Sequence, residues 1–213
     1  MGHSVTIRII ILLALALYGI SVHAAGYQVE LIIFENLIPA TDGEIAQVTR
    51  AYPDYSGALK LDDEAGGTFR LLSPGLYKLG GIYNQLKASG KYRPIVHMAW
   101  QQPALYGDNA RSVHILKTEP GATANPEDIL VRIDGMVRVR ASQFLHADVD
   151  LLYFPVVLPQ SGFHPDAADG TVVTAPSGYS RLRESRRMKL NELHYFDHPL
   201  FGVIMHISRG GQE

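Results

Sequence analysis

Apolar and polar side chains alternate most clearly between residues 131 and 153. Val131, Ile133, Val137 and Val139 hold odd positions, against Arg132, Asp134, Met136, Arg138 and Arg140 at even ones. After Ser142–Phe144 the order resumes, with Leu145, Ala147, Val149, Leu151 and Tyr153 apolar and His146, Asp148 and Asp150 polar. Successive side chains of a strand point to opposite faces, so two strands are predicted, each with one apolar face. A loop over Ser142–Phe144 keeps those faces together. It also sets Arg138 opposite Asp148 and Arg140 opposite His146, with Asp148 diagonal to Arg140. Exposed pairs of this kind contribute about 0.2–1 kcal/mol each and mainly fix register.

The other elements follow from shorter patterns. Tyr27 to Phe34 alternates in its first half and is apolar on both faces in its second, a strand with one end covered on both sides. Ser73-Pro74 reads as a helix start, with Leu76, Leu79, Ile82, Tyr83 and Leu86 as one apolar stripe and Ser89-Gly90 as the stop. Gly80-Gly81 inside it weakens the helix by roughly 1 kcal/mol each relative to alanine. Tyr92 to Gln101 and Arg111 to Lys117 read as strands, the latter with Val113 and Ile115 on one face; Tyr179 to Leu190 and Phe201 to Ile207 complete the set. Pro39 to Leu72 and Pro155 to Pro176 lack a sustained period and read as long loops. The expected fold is α+β: an antiparallel or mixed sheet with one main helix, in a single domain.

The N-terminus changes the picture. A short start carrying Arg8 precedes an unbroken apolar run, Ile9 to Leu17, and then small residues up to Ala24-Ala25. This is the layout of a secretory signal peptide over residues 1–24, with cleavage after Ala24 and a mature domain over 25–213. The competing reading is an uncleaved anchor, but a span needs about 20 apolar residues, so no stable membrane anchor is expected. About 190 residues remain after cleavage, enough for a core without staples. The chain has no cysteine, which excludes disulfides, thiol catalysis and lipid attachment through a cysteine. Loss of Arg8, with no acidic residue, moves the formal net charge from -2 to -3; a near-neutral chain is no general polyanion binder, so nucleic acid is not an expected partner.

Catalytic signatures are missing: there is no Gly-x-Ser-x-Gly elbow, no Ser-x-x-Lys, and no phosphate-cradling glycine loop ahead of a lysine. No cofactor is expected. His194 and His198, with Asp197 between them, would share a helix face and could suggest a metal-dependent hydrolase. Pro199 opposes helical geometry there, and a bend between two strands is the competing reading. Arg181, Arg183, Arg187 and Lys189 fall on one face of a strand. Such a row can hold an anionic ligand, because arginine forks match carboxylates and phosphates; it can also guard a sheet edge. Trp100, the single tryptophan, could stack on a sugar face or anchor a core.

Four segments together carry a resemblance. They are Tyr27 to Phe34; Tyr92 to Pro103 (YRPIVHMAWQQP); Asp134-Gly135 through His146 to Leu152; and Arg181 to Met188 with Glu192 to Gly202 (RLRESRRM … ELHYFDHPLFG). Together they resemble the CsiV family of periplasmic proteins. The resemblance implies a non-enzymatic peptidoglycan-binding protein needed for cell-shape integrity. It also implies action with the outer-membrane lipoprotein LpoA to promote a bifunctional penicillin-binding synthase. It supplies no binding residues, so Arg181, Arg183, Arg187, Lys189 and Trp100 rest on charge and aromatic character alone. The alternative is a periplasmic protein–protein adaptor without direct contact to the wall. The signal reading predicts that the exported protein begins at Ala25; N-terminal sequencing checks it, and an intact Met1 on exported protein would overturn it.

Overall fold

The computed structural model describes residues 26–38, 52–61, 68–121, 129–155 and 178–210. The signal-peptide reading, and most of both long loops, lie outside these residues. Ten strands and one α-helix are described, the α+β class expected, with the strands divided between two five-stranded sheets. The first sheet has the order β3-β4-β1-β10-β9, from β1 (Gly26–Asn36), β3 (Arg70–Leu71), β4 (Tyr92–Pro103), β9 (Leu193–Asp197) and β10 (Phe201–Arg209). The second runs β2-β5-β6-β7-β8, from β2 (Leu59–Lys60), β5 (Ser112–Pro120), β6 (Ile129–Ala141), β7 (Leu145–Tyr153) and β8 (Ser180–Met188). All neighbours are antiparallel except β2 and β5.

Alternation explains the layering. Val29, Leu31 and Ile33 of β1, Trp100 of β4, and Val203, Met205 and Ile207 of β10 face inward. They meet Val113, Ile115, Ile133, Val137, Val139, Val149 and Leu151 of the second sheet in one buried cluster. The opposite face of β1 carries Ile32 and Phe34, covered by Leu79, Ile82, Tyr83 and Leu86. That is the doubly apolar half of the first strand, and its second cover is the helix. The molecule is therefore helix on sheet on sheet.

The helix begins later than its sequence signals. Ser73-Pro74 opens only a 3-10 turn, Pro74–Leu76, and the chain is extended again at Tyr77 with ψ 138°. The α-helix, α1, spans Gly80–Ala88. The two glycines thus stand in its first turn, and Leu76 lies outside the stripe, 41% exposed. No side chain caps α1 from its own flank. Glu30 of β1, fully buried, does so instead: its carboxylate accepts from the backbone N–H of Lys78 at 2.7 Å and of Leu79 at 2.8 Å. A negative charge there suits the positive end of the helix. His97 Nε2 lies 2.8 Å from the same carboxylate, with its ring between Tyr77 and Tyr83.

A second polar group ties the sheets together at one end. β6 carries one extra residue, Arg132, between the pairs Lys117–Ile133 and Thr118–Val131. The extra residue reverses the expected faces, leaving Arg132 1% exposed and Val131 37% exposed. Arg132 reaches Glu119 at 3.1 Å and Glu35 of β1 at 3.4 Å. Glu35 also accepts from Arg93 at 2.7 Å and from the Tyr153 hydroxyl. Removing one partner of a buried ion pair strands the other. Glu35→Ala should therefore lower stability by about 3 kcal/mol, read as a drop in the urea midpoint; a loss no larger than that of an exposed pair would show Arg132 to be held by Glu119 alone.

Candidate functional site

The outer face of the second sheet is built by the even residues of β6 and β7 and the odd residues of β8. Strand register sets them in rows. Arg138 stands opposite Asp148 and Asp148 opposite Ser185; Met136 opposite Asp150 and Asp150 opposite Arg183; Arg140 opposite His146 and His146 opposite Arg187. The expected hairpin is present, with its loop at Ser142–Phe144, and so are the expected cross-strand pairs.

Each of two aspartates on this face is shared by two arginines. Asp148 Oδ2 accepts from Arg138 Nε at 2.9 Å and Arg140 Nε at 3.1 Å, while Ser185 Oγ donates to Oδ1 at 2.5 Å. Asp150 takes both oxygens to Arg181, Nε and one terminal nitrogen each at 2.7 Å, with Arg183 at 3.8 Å. Burial alone would raise the Asp148 carboxyl, but the hydrogen bonds from Ser185, Arg140 and Arg138, with the charge of Arg138, hold it below its usual range. The hydrogen bond to Asp150 is the main cause that raises Arg181 above the ordinary guanidinium value. Asp134, the third aspartate here, pairs with His114 at 2.7 Å. Five arginines face three aspartates, leaving two positive charges in excess.

Part of the face is covered. Leu152 belongs to it yet is fully buried, and Tyr55 lies against His114 with ring centroids 5.1 Å apart. Tyr52 sits against Tyr179 in the same region. The other part is open: Arg183 is 76% exposed, and Arg187 lies over the Phe144 ring, 3.3 Å from its centroid.

The residues singled out from sequence separate on this map. Arg181, Arg183 and Arg187 share the strand face as expected, but Arg181 is committed to Asp150 by two short bonds. Lys189 lies past the end of β8, 3.3 Å from Glu192, in the turn that Asn191 makes with φ 61°. Trp100 offers no face to a ligand. It is 0% exposed between the sheets, and its indole N–H donates to Gln102 Oε1 at 2.9 Å, whose amide donates across to Val139 O at 3.1 Å. His194 and His198 do not converge: His194 Nε2 accepts from Lys189 N, and His198 Nδ1 accepts from Leu200 N in the bend between β9 and β10. Among the described residues no group of acidic and imidazole side chains is placed to hold a metal. Sequence alone missed Arg138, Arg140 and Phe144 as parts of one surface with β8, because only the β7–β8 register joins them.

A carboxylate held below its usual range contributes stability above the unfolded carboxyl pKa of about 3.9 and loses it as pH falls toward the folded value. Asp148→Asn should lower stability near neutral pH by about 1–2 kcal/mol, and the difference should shrink below about pH 4. Urea midpoints on both sides of that pH measure this, and a difference independent of pH would show that the charge is not what holds the arginines.

No curated protein and no solved structure matches this chain. A family model described as "Peptidoglycan-binding protein, CsiV" matches residues 5–210, nearly the whole length. The exposed arginine face is thus carried on a fold that this family match spans from β1 to β10, and the chain belongs to the CsiV family of peptidoglycan-binding proteins.

Proposed function

We propose that this chain is a non-enzymatic, periplasmic peptidoglycan-binding accessory protein that supports wall synthesis and cell shape. Export by the N-terminal signal brings it to the compartment where the wall is built. There it acts alongside an outer-membrane lipoprotein of the LpoA kind and the bifunctional penicillin-binding synthase that lipoprotein activates. The outer face of β6, β7 and β8 is the contact surface.

The observation that carries this reading is the open arginine face, on which each of Asp148 and Asp150 is divided between two guanidiniums. Peptidoglycan joins a glycan chain to peptides with free carboxylates. Arginine donors arranged in a plane match carboxylate geometry and stay charged at any physiological pH. Arg183 and Arg187 are the residues of the original row that remain available; Arg181 serves by fixing Asp150.

Co-sedimentation of the mature protein with isolated sacculi tests this. The protein should enrich in the pellet, and added salt should weaken binding, since screening shortens to about 10 Å at 0.1 M ionic strength. Neutralising both, Arg183→Gln with Arg187→Gln, should strongly reduce enrichment while the domain stays folded and loses no more than about 1 kcal/mol of stability. No enrichment of the native protein, with tight binding to an acidic protein partner instead, would replace this reading by the adaptor.

A further inference from the structure

The rows across the outer face of β6, β7 and β8 differ in charge. The Asp148 and Asp150 rows each contain a carboxylate; the row nearest the hairpin loop, Arg140–His146–Arg187, contains none. Arg140 commits only Nε to Asp148, at 3.1 Å. His146 Nδ1 lies 3.2 Å from the Phe144 carbonyl oxygen, which can only accept. Nδ1 therefore donates to that carbonyl, and Nε2 can donate to an anionic ligand when the ring carries a second proton. Arg187 makes no ion pair among the described residues and is stacked on Phe144. Neighbouring strands are about 4.8 Å apart, so the three side chains stand within roughly 10 Å of one another.

The chemistry of this row selects its ligand. A sugar site presents a bare aromatic face, with acceptors for hydroxyl groups beside it. Here the one aromatic face is already occupied by a guanidinium, and both arginines can only donate. Stacking also holds the Arg187 plane before any ligand arrives, which reduces the ordering cost of binding. We propose that Arg140, His146 and Arg187, backed by Phe144, form a subsite for a free carboxylate of the wall's stem peptides, so that the peptide rather than the glycan is recognised. This rests on the peptidoglycan-binding reading above.

Sedimentation affinity for three preparations tests it: intact sacculi, sacculi whose peptide carboxyls are capped as amides, and glycan strands stripped of peptide. Arg187→Gln should weaken binding to intact sacculi roughly tenfold, with Arg187→Lys intermediate because the ammonium keeps charge but neither fork nor stack. Phe144→Ala should cost severalfold, and Arg183→Gln less than about twofold. The native protein should lose binding to capped sacculi and to bare glycan alike. Unchanged unfolding midpoints confirm that the variants fold. If Arg187→Gln binds as the native chain does, or capped sacculi are held as well as intact ones, the subsite is wrong while wall binding stands. Equal affinity for vesicles of anionic phospholipid, with the same dependence on Arg187, would also overturn it. Failure of the native chain to bind intact sacculi would instead remove the reading beneath it.

Discussion

Two sheets bury their inner faces against each other, and almost everything else follows from that shared core. The two-residue period of a strand leaves each sheet a second face. On the first sheet that face is partly apolar, at Ile32, Phe34 and Ile204, and the helix takes it. On the second it is mostly arginine, aspartate and histidine, covered at Leu152 and His114 and open to solvent at Arg183. The division between a helix-covered side and a charged side is thus written in which strands carry apolar residues on both faces.

Several polar side chains inside this arrangement bridge its elements. Gln102 connects Trp100 to Val139 across the sheets, and Arg132 connects Glu119 to Glu35 at one end of the sandwich. Arg186 spans the two edge strands, lying 5.0 Å over the Phe196 ring and donating to the Tyr195 carbonyl. The bonds of Gln102 to Val139 and of Arg132 to Glu35 join residues 37 and 97 positions apart, so the strands are held in position as well as in register.

Much of this was legible in the sequence, and the failures have particular causes. The hairpin, its loop and the pairs of Arg138 with Asp148 and Arg140 with His146 needed only alternation. Periodicity tells which residues face a core but not which strands share a sheet, so the division into two sheets was not legible. The extra residue in β6 reverses a stretch of the pattern, and nothing around Arg132 announces it. The helix start at Ser73-Pro74 was locally reasonable, yet the carboxylate that caps α1 comes from Glu30, about fifty positions earlier. The arginine row of β8 was legible as a row. That Asp150 immobilises Arg181, while Arg187 makes no ion pair among the described residues, depends on β7 lying beside β8, a long-range fact.

The Glu30 carboxylate admits no neutral stand-in. Both oxygens receive protons, Oε2 from Lys78 and Oε1 from Leu79 and His97. An amide of the same shape would aim its own N–H₂ at a backbone N–H, donor against donor in a site closed to water, where such a mismatch is costly. Aspartate is a methylene too short to reach. The position where the first strand meets the helix therefore calls for the reach and the two acceptor oxygens of glutamate.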